Sequence, residues 1–140
     1  MSESIVYIDR SEIVEGKIEE LKAGISELVD FVDAHEPRLI SYGFFINDEA
    51  SQMTVVAVHP DSASMEFHME IAGPKFRNLK ECVELKTIEV YGRLSDKALG
   101  QLRQKAEMLG DGGSVVVQVP QAGFARYRTD VSRPRRLPDL

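Results

Sequence analysis

Residues 53–76, MTVVAVHPDSASMEFHMEIAGPKF, decide the fold. The first six are aliphatic or β-branched, the composition of a strand. Pro60-Asp61 ends that strand. Asp61 is suited to cap a helix running to about Ala72, because its carboxylate accepts from the free amides of a first turn. Gly73-Pro74 closes the helix. The run is a strand feeding a short helix that carries His68. What lies before it reads strand, helix, strand, and what lies after it reads strand, helix, strand.

Residues 4–9, SIVYID, are β-branched and aromatic, a strand with Val6 and Ile8 on one face and Ile5, Tyr7 and Asp9 on the other. Residues 14–34 carry Val14, Ile18, Leu21, Ile25, Leu28, Val29 and Val32 at three- and four-residue spacings, one apolar stripe of a helix. Pro37 stops it, because the ring pushes Glu36 out of helical geometry. Residues 39–46 form a second strand, and the polar residues 47–51 make a tight hairpin with the third. Residues 76–83 read as one more helical turn or as loop. Residues 85–94 alternate, with Ile88 and Val90 opposite Thr87, Glu89 and Tyr91. Ser95 caps another helix, whose stripe is Ala98, Leu99, Leu102, Ala106 and Leu109. Gly110 ends it, and the last strand covers residues 114–119.

The order β-α-β-β-α-β, followed by an added α-β, is an α+β, ferredoxin-like unit whose sheet carries helices on one face. Residues 1–124 form one domain, and residues 125–140 a Pro- and Arg-rich tail. The chain has 140 residues, 43% hydrophobic and 29% charged, with net charge −6. The acidic balance argues against a nucleic-acid partner, which would ask for a basic face. No apolar run reaches the roughly 20 residues of a membrane span. A single cysteine, Cys82, forms no internal disulfide. The N-terminus lacks the regions of a signal peptide, so a cytoplasmic protein is expected.

The helix-free face must be covered. Tyr7, Thr87, Glu89, Tyr91 and either Tyr42 with Phe44, or Phe45, are expected on it. A homodimer with facing sheets is the economical cover. It encloses a space that is either packed solid or open to a small aromatic ligand. The added α-β unit is a candidate to lend its strand to the partner.

Gly16 opening the first helix, Glu36-Pro37 before the second strand, the hairpin at residues 47–51, and the strand at residues 55–58 followed by Asp61-Ser62-Ala63 and His68 carry a family resemblance. Over about residues 5–94 the chain resembles the dimeric α/β-barrel superfamily, in particular its antibiotic-biosynthesis-monooxygenase-like, or quinol-monooxygenase-like, domains. The resemblance implies a cavity between sheet and helices for a small aromatic or quinol-type substrate. It also implies that dioxygen reacts with the deprotonated substrate without flavin or metal. His68 matches the histidine that lines that cavity. Asp9 falls where the haem-degrading branch has asparagine. That branch also needs a tryptophan near the place of His68, and this chain has none. Haem degradation is therefore set aside.

His68 and Asp9 are the catalytic candidates. A neutral imidazole can take a proton from an acidic phenol. The wheel of the second helix buries Ala63, Phe67 and Ile71, with His68 on the flank, and the plain alternative is a half-exposed surface histidine. Asp9 is alternatively a surface ion pair with Arg10. Tyr7, Tyr42, Phe44, His59 and Tyr91 are candidates to bind substrate. The rings are alternatively interface packing, and His59 a solvated strand end. Cys82 reads as an inert, partly buried thiol. No metal-ligand spacing is present: His59 and His68 stand nine residues apart. Gly110-Asp111-Gly112-Gly113 is a helix-to-strand turn, not a phosphate loop. The enzyme reading competes with a non-catalytic ligand-binding or structural dimer of the same fold.

Overall fold

The computed structural model describes residues 4–127. The order is β1 (Ile5–Ile13), α1 (Ile18–His35), β2 (Ser41–Ile46), β3 (Gln52–His59), α2 (Ser62–Phe76), β4 (Val83–Tyr91), α3 (Asp96–Leu109) and β5 (Ser114–Gln118), with a 3-10 turn at Arg77–Leu79. The single sheet runs β2-β3-β1-β4-β5. Its first four strands are antiparallel neighbours, and β5 joins β4 in parallel, as a strand–helix–strand crossover requires. The ferredoxin-like α+β fold expected from the sequence is present, and β5 belongs to the chain's own sheet.

Alternation sorts the two faces. Ile5, Tyr7, Asp9 and Ser11 of β1 are buried, while Arg10 and Glu12 are exposed. Tyr7 lies between Ala57 and Val90 in register, and Asp9 between Val55 and Ile88. These residues all face the helices. Tyr42 and Phe44 pair with Ala57 and Val55 and so share that face. Tyr7 is thus corrected from the open face to the core by the register of β1 on β3, and of the two alternatives for β2 its register on β3 turns Tyr42 and Phe44 against the helices and leaves Phe45 on the open face. Phe45, Thr87, Glu89 and Tyr91 do lie on the open face, as does Val116 of β5.

Two helix boundaries differ from expectation. β1 extends through Ile13, whose amide donates to Ser51, and the Val14 amide donates to Cys82. Pairing therefore takes in residues 10–13, which lay between the expected strand and helix, and Gly16 (φ 84°) turns the chain ahead of α1 instead of opening it. Val14 is exposed. α2 runs through Gly73 and Pro74 to Phe76, because buried Phe76 and Leu79 anchor the extra turn in the core. The side of α2 that faces the sheet is Ser64, Met65, His68, Ala72 and Phe76, not the arc through Ala63 and Phe67. Phe67 is exposed.

Asp61 caps α2 through the Ser64 amide, and Ser95 caps α3 through the Ala98 amide. The Ser95 hydroxyl also donates to Glu66, and its amide to Ser62, so one residue caps α3 and ties it to α2. Residues 121–127 carry no helix or strand. The rest of the Pro- and Arg-rich tail, residues 128–140, lies outside the described residues.

A Cβ at Gly110 would fall 2.2 Å from the Leu85 carbonyl oxygen, whereas at Gly100, inside α3, it would meet nothing within 4 Å. Gly110→Ala is expected to cost roughly 1–3 kcal/mol, and Gly100→Ala to add about 0.5–1 kcal/mol. Urea-unfolding midpoints of the two variants check both signs.

Candidate active site

Pro37 makes the first contribution. It ends α1 so that Glu36 leaves the helix with φ −126°, its amide still bonded to Val32. The Glu36 side chain turns inward and is buried. There it meets His68 from the buried side of α2: His68 Nδ1 lies 2.9 and 2.8 Å from the two carboxylate oxygens. A carboxylate only accepts, so Nδ1 carries a proton and Nε2 is the nitrogen left to exchange one. Glu36 fixes the tautomer and orientation of the imidazole, as the carboxylate of a catalytic triad does.

Around His68 stand Tyr42 and Phe76, at ring centroid distances of 5.2 and 5.5 Å, and His59 at 5.5 Å. His59 is completely buried at the end of β3, with Nδ1 2.9 Å from the Ser64 hydroxyl and Nε2 without a partner. The expectation of a solvated strand end is corrected: β3 pairs His59 with Ile5 under the start of α2. Burial first, then the neighbouring His68 and the more distant Lys105, push its pKa down to about 3, against a smaller upward pull from Asp61.

A second cluster lies along β1. Tyr7 donates to Asp9 Oδ2 at 2.5 Å. Lys105 of α3 donates to the Tyr7 oxygen at 2.8 Å and to Asp9 Oδ2 at 3.2 Å. Its ammonium also sits 4.2 Å from the centre of the Phe76 ring. All three residues are buried. Asp9 is therefore not paired with Arg10, which reaches Glu89 on the opposite face of the sheet. Burial, then the charge and hydrogen bond of Asp9, raise the Tyr7 pKa well above the ordinary phenol value, so Tyr7 remains a donor. Burial, then Asp9 and Glu36, raise Tyr42 likewise.

Beneath the sheet is a void of about 20 Å³, lined among others by Asp9, Tyr42, Phe44, Val55, Phe76 and Lys105. That is room for about one water molecule. Asp9 Oδ1, buried, has no hydrogen-bond partner. His68 stands behind Tyr42 and Phe76, not on the void's wall. So Asp9, Tyr7, Tyr42, Phe44, His59 and His68 come together in one interior. Tyr91 does not: it is 38% exposed on the open face. Among the described residues no three His, Cys, Asp or Glu side chains assemble as metal ligands. Cys82 is buried, and burial raises its thiol. No described helix is long and apolar enough to cross a membrane.

Three participants escaped the sequence reading: Glu36, Ser64 and Lys105. Glu36-Pro37 was visible as a helix stop, but not as the source of a buried carboxylate. Lys105 stands three residues after Leu102 and seven after Ala98, on the apolar stripe of α3, and that position was its signal.

No family model matches the chain, and no curated protein does. Solved structures do. MupZ from Pseudomonas fluorescens superposes with a TM-score of 0.69 at 21% identity, covering 90% of this chain and 91% of that one. SnoaB from Streptomyces nogalater, a cofactor-independent oxygenase, gives 0.57 at 13% identity, covering 67% of this chain and 96% of its own. A protein from Caulobacter crescentus assigned as an antibiotic biosynthesis monooxygenase gives 0.59 at 14% identity, covering 67% and 92%. The last two are nearly wholly covered, so about a third of this chain has no counterpart in them. At such identities the likeness is one of fold.

The low pKa of His59 makes stability depend on pH. Between its ordinary value of 6.5 and about 3, the unfolded chain binds a proton that the folded chain does not. Stability contributed by neutral His59 is present above pH 6.5 and is lost as pH falls toward 3. The loss amounts to about 1.4 kcal/mol per pH unit. Unfolding free energies between roughly pH 4.5 and 6 are expected to fall more steeply for the native chain than for His59→Gln, by about that slope. Equal slopes would remove His59 as the titrating group.

Proposed function

From the fold of the antibiotic-biosynthesis-monooxygenase-like proteins, which this chain shares, we propose that it is a cofactor-independent monooxygenase acting on a small aromatic or quinol-type hydroxy compound. One observation carries the reading: a buried carboxylate, Asp9, with one oxygen unpartnered at an internal void beneath the sheet. Natural interiors seldom leave such an atom open, and perturbed polar clusters gather at functional sites. The substrate hydroxyl loses its proton to the site, and the resulting anion is electron-rich enough to reduce dioxygen. One oxygen atom enters the substrate. The other leaves as water with two of the substrate's own hydrogens. Asp9 is the near acceptor. His68, oriented by Glu36, is the second acid–base group, one ring removed. Tyr7, Tyr42, Phe44 and His59 pack about these groups.

The size of the void favours a second reading. About 20 Å³ holds a water and not an aromatic ring. A non-catalytic ligand-binding or structural dimer would have such an interior without needing it to open. Oxygen uptake with 1,4-naphthohydroquinone and 1-naphthol separates the two. The enzyme reading expects uptake above buffer autoxidation, reduced roughly 100-fold in Asp9→Asn and in His68→Ala. Uptake no faster than buffer, or unchanged in both variants, leaves the non-catalytic dimer.

The open face of the sheet belongs to the same proposal. Phe45, Tyr91 and Val116 are 59%, 38% and 45% exposed there, next to Val6, Ile8 and Val56. A stripe of this kind fits the sheet of a second copy. Sedimentation at micromolar concentration is expected to give a dimer for the native chain and a monomer for Phe45→Glu/Val56→Glu. A native monomer would remove the homodimer.

A further inference from the structure

Lys105 lines two spaces at once. One is the internal void, where it stands with Asp9. The other is an open groove of about 760 Å³ between α2 and α3, lined by Met69, Gly73, Arg77, Gln101 and Met108 among others. Phe76 also lines both. Two side chains, one flexible and cationic and one aromatic, are the wall between the groove and the buried carboxylate.

The hydrogen bonds on this wall do not close. An ammonium has three donors. Lys105 uses two, on the Tyr7 oxygen and on Asp9 Oδ2. Asp9 Oδ1 is buried and accepts nothing. On the groove side, Gln101 Oε1 is buried and accepts nothing either. Lys105 is thus short of one acceptor and Asp9 of one donor, and both line a space of about one oxygen atom. A hydroxyl supplies both, because it donates through its proton and accepts through its lone pairs. The groove is of the size that holds small ligands. Its two methionines offer polarizable walls to a flat ring.

We propose that the α2–α3 groove is where a hydroxylated aromatic molecule enters and lies, and that Lys105 selects it by holding its hydroxyl oxygen against Asp9. The inference rests on the hydroxy-aromatic reading above and adds the recognising residue and the route. Lys105 swings on its four-carbon stem to admit the hydroxyl. The O–H proton passes to Asp9 Oδ1, and the bonding pair stays on the substrate oxygen, where the ammonium neutralises it. No other bond changes in this step. Lys105 and the groove wall of α3 come from the added α-β unit. That unit is therefore part of the site and not an appendage to it.

The test is fluorescence titration of the full chain with 1-naphthol, with naphthalene as the control that lacks the hydroxyl. The native chain is expected to prefer 1-naphthol by at least about tenfold, since a site built for a hydroxyl discriminates against its absence. Lys105→Met is expected to abolish the preference, and Met108→Lys, which charges the groove wall, to weaken both ligands. If Lys105→Met fails to fold because Asp9 is left without its counter-charge, the neutral pair Asp9→Asn/Lys105→Met carries the same expectation. Equal binding of the two probes, no binding of either, or a preference that survives in the neutral pair overturns the inference. Preferential binding of 1-naphthol without any oxygen uptake would sink the oxygenase reading and leave the inference standing. Oxygen uptake that is indifferent to Lys105→Met and Met108→Lys would do the reverse.

Discussion

An ammonium buried between a sheet and its helices must be answered by negative charge, and Lys105 finds it in Asp9. Removing one partner of such a pair typically costs 3–5 kcal/mol, because the other is left as an uncompensated charge. Much of the structure is arranged by that need. It holds α3 over the central strand β1. It requires Tyr7 to stay protonated, bridging the two charges. It adds a positive charge to the surroundings of His59, which with burial and His68 keeps that imidazole neutral. The Ser95 bonds to Glu66 and Ser62 fix α3 against α2 from the other end, so Lys105 arrives at its carboxylate through a braced helix.

The interior contains a second polar pair, Glu36 with His68, and the two pairs are separated by the rings of Tyr42 and Phe76. Burying charged groups in a domain of this size works against stability, and replacing such pairs by packed apolar side chains is often neutral or favourable. Chains depart from the simplest core at sites of function. Here the departure is confined to the layer between sheet and helices. The open face of the sheet is ordinary by contrast: apolar side chains, with an Arg10–Glu89 pair among them.

The elements were legible in the sequence because their signals are local. Period-two runs mark the strands, the α1 and α3 stripes mark two helices, and Asp61 and Ser95 act as the caps they resemble. The misreadings came where non-local packing overruled those signals. β1 gained four residues because β3 and β4 were there to pair with them. α2 ran through Gly73-Pro74 because Phe76 had a core to enter. Its buried side was misjudged because hydrophobicity ranks Phe67 above Ser64 and His68. The choice reverses only once Glu36 and His59 are in place to satisfy the polar pair.

The order of elements, the α+β class, and a histidine and an aspartate worth following are all written along the chain. Periodicity and capping are properties of neighbours along the chain, and a chain carries them unfolded. Packing sets which face of β1 is inside, and so whether Tyr7 and Asp9 meet solvent or helices. A strand's alternation defines two faces without saying which one is covered. Packing also decides that Asp9 answers to Lys105 and His68 to Glu36. Those partners lie far apart in the chain, and a buried charge is tolerated only where the fold brings its counter-charge within reach.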